Sequence, residues 1–156
     1  RSTPRRAASA STSAVRAHPQ YAEFDDADVS LIHAVTTSGV QVSVHGARHD
    51  ALGHDVRLEA LGSADSVATG LNHRTPLRSL DEDLGTNAAP YVGFVDRFRD
   101  AFRRETAAFV SLVTGEGTNP CPPEAALESL RAAIACERSV ATGAVVRVAD
   151  IHPTDR

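Results

Sequence analysis

Five of the seven histidines fall between His33 and His73, and such a cluster invites a metal reading. Spacing argues against it. His45 and His49 are four residues apart, which on one strand sets their side chains about 13 Å apart unless the chain bends at Gly46. His54 and Asp55 are adjacent, so in a strand they point to opposite faces and form no His–Asp dyad. They remain hydrogen-bonding groups. With Arg57 they offer an imidazole, a carboxylate and a guanidinium, a set suited to a hydroxyl-rich ligand. Arg57 and Glu59 share a face and read as an exposed ion pair of little energetic weight. Arg97 lies between Phe94 and Phe98 but off the apolar stripe, a position that fits either a pocket cation or a surface residue. No catalytic residue and no metal-ligand set is assigned.

All 16 basic residues are arginine. Schiff-base, ammonium-acid and phosphate-loop chemistry that needs a lysine is therefore excluded for this chain alone. There is no GxGxxG and no GxxxxGK(S/T), hence no phosphate cradle. The net charge of −4 gives no electrostatic case for nucleic acid. No apolar run approaches the roughly 20 residues that span a bilayer. Cys121 and Cys136 lack metal-ligand spacing and read as reduced thiols, which points to the cytoplasm. At 156 residues the chain fits one domain with a usable core.

The elements follow from periodicity. Phe94, Phe98, Phe102, Phe109 and Val113 form the stripe of a long helix. Gly115 and Gly117 end it, and Pro120, Pro122 and Pro123 forbid its continuation. A second helix starts near Pro123 with Leu127, Leu130, Ile134 and Val140 as its stripe, and Gly143 stops it. Ala144–Val148 is a short β-branched strand. Upstream, Val29–Val35, Val40–His45, Val56–Ala60 and Ser66–Thr69, the last reached through a turn at Gly62–Asp65, predict a period-two antiparallel meander. Val15–His18 suits an edge strand ended by Pro19. The expected fold is α+β, a mostly antiparallel open sheet with two long helices packed on one face. Val29, Leu31, Val35, Val42, Val44, Val56, Leu58, Val146 and Val148 would then face the helices. The opposite face would carry Ile32, Ala34, Gln41, Ser43, Arg57, Glu59, Leu61, Val145 and Arg147. Residues 1–14, rich in Arg, Ser, Thr and Ala, read as a disordered tail, residues 15–150 as the domain and residues 151–156 as a second tail. Asn72–Pro90 has no clear period and is long for a connection, which marks a functional or mobile loop. The chain has no methionine, so the sequence reads as a processed, trimmed or partial one.

Three stretches carry a family resemblance. Gly53, His54, Asp55, Arg57, Glu59, Gly62 and Ser63 fit a G-(Y/H)-D-x-R-x-E-x-x-G-(S/T) pattern. Phe94, Arg97, Phe98, Ala101, Phe102, Glu105 and Phe109 fit a second, and Ala126–Gly143 resembles a closing helix. Together, in this order, they resemble the C-terminal domain of the Gfo/Idh/MocA oxidoreductases, the inositol 2-dehydrogenase relatives. The resemblance covers roughly Val15–Val148. It implies a substrate-side and oligomerisation domain, with the dinucleotide-binding domain and the catalytic lysine lying upstream. It implies NAD or NADP as cofactor of the full-length enzyme, none bound by this chain alone, and a sugar or polyol as substrate. It also implies a homo-oligomer paired through the open sheet face. The substrate-binding residues it suggests are His54, Asp55 and Arg97. At the bend the inositol dehydrogenases often have Y-G-Y-D, where this chain has Leu52-Gly53-His54-Asp55, so a myo-inositol substrate does not carry over directly. The other function open to such a chain is a non-catalytic interaction or pseudoenzyme module.

Overall fold

The computed structural model describes residues 8–16, 18–77 and 89–152. They form two compact units, Arg1–His49 with Pro120–Arg156, and Asp50–Asn119. The first is built on β1 (Ser9–Val15), β2 (Val29–Val35), β3 (Gln41–Ala47) and β6 (Val146–Arg147). They lie in the order β3-β2-β1-β6, every pair antiparallel.

β1 corrects the expected tail. Ser9–Ala14 were read as disordered because they hold no large apolar residue, yet they form most of an interior strand. Small size is what the position requires. Helix α4 (Pro123–Thr142) packs directly over β1, and Ala10 on the strand and Ala135 on the helix are both buried. Of the expected edge strand Val15–His18, Val15 ends β1 and residue 17 lies outside the described residues; His18 instead caps α1 (Pro19–Ala22), its ring nitrogen accepting from the Gln20 amide. Residues 1–7 and 153–156 of the two expected tails lie outside the described residues. Ile151, assigned to the second tail, is buried after the short turn Val148–Asp150.

Register corrects the expected faces. Ala10 pairs with Ala34, Thr12 with Ile32, and Ile32 with Val44. Paired residues share a face, so Ile32 and Ala34 lie with Val42 and Val44 on the helix side. Val15, Val29, Leu31 and Val35 lie on the other side with Ser43 and His45. A one-residue difference in register exchanges the faces of a whole strand, and alternation within each strand says nothing about it.

α4 begins at a proline with Glu124 in its first turn and ends at Gly143, whose φ of 67° makes the left-handed cap. Where β6 stops, the helix completes the sheet. Ser139, 1% exposed, accepts the Thr12 amide through Oγ at 2.9 Å and donates to the Ala144 carbonyl at 2.7 Å.

The second unit holds a hairpin, β4 (Leu58–Leu61) with β5 (Ser66–Thr69), as a separate two-stranded sheet rather than a continuation of one meander. The long expected helix is two helices, α2 (Phe94–Arg97) and α3 (Arg99–Val113), broken at Phe98 (φ −109°, ψ 17°). The class is α+β with antiparallel pairing, as expected. α4 covers the four-stranded sheet at β1, and α3 belongs to the second unit. Of the expected loop Asn72–Pro90, residues 78–88 lie outside the described residues. Among the described residues no helix is long and apolar enough to cross a membrane.

Candidate functional site

Within the second unit, residues 53–57 run beside Tyr91. The His54 amide donates to the Tyr91 carbonyl at 2.7 Å. The approach needs Gly53. Its φ is 137°, and a Cβ there would sit 2.7 Å from the Tyr91 oxygen and 2.9 Å from Pro90. The His54 ring meets Phe98 edge-on with centroids 6.1 Å apart. Its Nε2 is buried and has no hydrogen-bond partner, and the same holds for Oδ1 of Asp55. The other Asp55 oxygen takes a hydrogen bond from Arg57 Nε at 2.7 Å. The partner of Arg57 is thus Asp55, two residues back, rather than the expected Glu59. Residues 53–57 are not in a strand, which frees their side chains from alternation.

Arg97 joins the same cluster. Its Nη2 donates to the Val56 carbonyl at 3.1 Å, and its guanidinium lies 5.1 Å from the Tyr91 ring and 5.2 Å from the Phe98 ring. The structure therefore brings His54, Asp55 and Arg97, the three residues singled out by sequence, into one cluster around Tyr91 and Phe98.

Residues outside the sequence-based set hold the cluster together. Arg74 donates to both oxygens of Asp96 at 3.3 and 2.5 Å, and to the carbonyls of Ala89 at 2.9 Å and Pro90 at 3.4 Å. It also lies over the Tyr91 ring at 4.1 Å. The hydrogen bond from Arg74 holds Asp96 below the usual carboxylate range, and the same bond raises the Arg74 guanidinium. Asn72 positions Arg74, accepting its amide at 2.8 Å in a side-chain-closed turn, and donates to the Tyr91 hydroxyl at 3.2 Å. The turn-forming run Asn72-His73-Arg74-Thr75-Pro76 was the available signal for this clasp.

The histidines do not gather around an ion. His49 stacks on His18 with centroids 4.2 Å apart and lies 5.5 Å from Tyr21, and His33 and His45 lie on the open face of the sheet. No group of three or more candidate ligands occurs among the described residues. Among the described residues there is no parallel strand–glycine loop–helix unit: α3 and α4 are entered through Phe98 and Pro122, and the strands pair antiparallel.

Comparison with known proteins sets this cluster in context. Residues 21–148 match the model described as oxidoreductase family, C-terminal alpha/beta domain. Over 132 residues, 81% of this chain and 38% of the relative, the sequence is 29% identical to the myo-inositol dehydrogenase Hyg17 of Streptomyces leeuwenhoekii. The crystal structure of a myo-inositol dehydrogenase from Corynebacterium glutamicum superposes with a TM-score of 0.75 at 26% identity, covering 95% of this chain and 44% of that one. A scyllo-inositol dehydrogenase from Lactobacillus casei, with bound NAD(H) and scyllo-inositol, shares the fold with a TM-score of 0.78 at 19% identity, over 92% of this chain and 43% of that one. The chain spans 38% of the length of the curated relatives it matches.

Proposed function

Because the chain belongs to the Gfo/Idh/MocA oxidoreductase family, as a C-terminal alpha/beta domain, we propose that it forms the substrate-side and self-association portion of an NAD(P)-dependent sugar or polyol oxidoreductase. The observation that carries this is the pair of buried, unpartnered atoms on adjacent residues, His54 Nε2 and Asp55 Oδ1. A stranded polar group costs about 1–3 kcal/mol, a cost that a ligand hydroxyl at each atom would offset. Ligand hydroxyls fit both: a carboxylate oxygen accepts from one, and an imidazole nitrogen donates to or accepts from another. Both atoms are closed to solvent, so a ligand reaches them by local opening of residues 53–57. In this reading Arg97, held beside the Tyr91 and Phe98 rings, orients the oxygens of the sugar.

Hydride acceptance and the proton-handling lysine belong, in this reading, to a cofactor domain outside these 156 residues. The test is a titration of the chain with myo-inositol followed by NMR, with NAD present in a parallel assay. Shifts confined to His54, Asp55, Tyr91 and Arg97, without turnover, are expected. Myo-inositol and a panel of neutral sugars that all leave residues 54–57 unmoved at saturation, or reduction of NAD by the chain alone, overturn the proposal.

Self-association is proposed through the open sheet face. Its centre is Val15, Val29 and Leu31, 52%, 45% and 44% exposed, rather than the expected Ile32, Leu61 and Val145. Aligned apolar residues on a solvated face favour a contact surface, and a two-fold axis brings the same patch together from each copy. Reduced thiols at Cys121 and Cys136 suit a cytoplasmic enzyme.

A further inference from the structure

The open face of the four-stranded sheet carries two titratable groups within its apolar patch. His45 stands directly opposite Leu31 in the register, and His33 follows on β2 with Ser43 opposite it. The two histidines are thus diagonal neighbours on one face, roughly 7–8 Å apart or less at Cβ. Both are exposed, beside Val15, Val29 and Leu31. The other β1–β3 positions of that face are serine, valine, alanine and glutamine. We infer that self-association through this face is switched by protonation of His33 and His45: copies pair while both imidazoles are neutral and part as they gain charge. The inference rests on the self-association proposed above for this face.

A second copy is the occupant this face suits. Its β1–β3 positions hold no carboxylate and no arginine. A charged partner finds nothing there to pair with, whereas a two-fold axis lays one neutral patch on another. At the β6 margin Arg147 shares the face, opposite Ser9, and Asp150 answers it through two hydrogen bonds of 2.9 Å. Beyond the strand ends Arg16 pairs with Asp25 and Arg48 with Asp26, and His18 stacks on His49. α4 packs on the opposite face of the sheet. A solvated sheet in a monomer suits the serines and histidines but gains nothing from Val15 paired with Val29 beside Leu31. A neutral imidazole is a flat ring that a dry contact accommodates. An imidazolium there is a desolvated charge, and burial disfavours the charged form. The contact therefore favours the copy that binds fewer protons, and by linkage association weakens as pH falls. A two-fold contact gathers four imidazoles, two from each copy, so repulsion between like charges acts in the same direction.

The test is sedimentation equilibrium of the chain from about pH 8 to about pH 5.5, a span over which histidine changes charge. The association constant is expected to fall at least about tenfold, since each histidine whose charged form the contact disfavours adds a pH-dependent factor of its own. Far-UV circular dichroism at the same pH values separates loss of association from loss of fold. The double variant His33→Gln/His45→Gln should associate alike at both ends of the span. His33→Arg, which fixes a charge, should weaken association throughout it. His73→Gln, at an exposed histidine of the second unit, should leave the pH response unchanged. The wild-type profile decides even if a variant does not fold. Association equally strong across the span, a fall that tracks loss of ellipticity, or a pH response that survives the double substitution would overturn this inference and leave the self-association proposal standing. A chain that is monomeric at every pH, free or with this face bound to phosphatidylcholine vesicles, ends both.

Discussion

Ser139 is the most economical place to test how the first unit is held together. Its hydroxyl joins three elements, taking the Thr12 amide at 2.9 Å and giving its proton to the Ala144 carbonyl at 2.7 Å. At Thr12 the strand has β2 on one side, but β6 ends at Ala10, so this amide points at no strand. Ser139→Ala strands a shielded donor, at about 1–3 kcal/mol. Ala144 is exposed and its carbonyl can turn to water, so that loss is small. The better helix propensity of alanine returns up to roughly 0.5 kcal/mol. The expected net loss is about 2 kcal/mol, or roughly 4–8 °C in Tm for a chain of this size. Because the chain forms two units, denaturant unfolding should be read through amide exchange of Thr12 and its β1 neighbours as well as through a global signal. Ser139→Cys, which keeps volume but is a poor donor and acceptor, should lose nearly as much. Ser129→Ala, whose hydroxyl makes an exposed bond to the Ala125 carbonyl, should stay within about 0.5 kcal/mol. If Ser139→Ala is no more destabilising than Ser129→Ala and the Thr12 amide stays protected, the hydroxyl is not completing the sheet and the reasoning fails.

Phe98→Ala should cost about 2–3 kcal/mol, below the roughly 3–5 kcal/mol of a fully buried aromatic truncation because Phe98 is only half-buried at the break between α2 and α3; it should also move the His54 ring resonances, and a melt and spectrum like wild type would refute both. Asp96, held below its ordinary range by Arg74, stabilises the fold above the unfolded-state carboxylate pKa of about 3.9, and this contribution is lost as pH falls through the lower folded value. Asp96→Asn should therefore remove part of the acid dependence of stability, seen as a flatter pH profile of the denaturation midpoint; an unchanged acid limb would show that the clasp contributes nothing. Leu31→Arg should weaken self-association measured by sedimentation, whereas Leu61→Arg, on the β4–β5 hairpin and 87% exposed, should not; a wild-type chain that is strictly monomeric at tens of micromolar ends the self-association proposal.

Periodicity, caps and composition determined several things without tertiary information. The helix Pro123–Thr142 and its stop at Gly143 were legible because proline, a first-turn acid and a left-handed glycine are local signals. The β4–β5 hairpin was legible for the same reason, since Gly62–Asp65 lies between alternating runs. The absence of lysine needs no structure at all. His54, Asp55 and Arg97 could be singled out from residue type and the motif pattern they fit. Tertiary structure alone decided the rest. Ser9–Ala14 have no apolar signature, and only the helix packed above them explains why small residues form an interior strand. Which face of β2 meets that helix depends on register, and alternation is identical for either choice. Arg74 and Asp96 stand 22 residues apart in sequence, and their pairing is set by a turn at Asn72 that periodicity does not register. The clasp, the buried nitrogen of His54 and the seat of Arg97 beside Tyr91 and Phe98 are properties of which groups the fold brings together. They exist only once the chain has closed on itself.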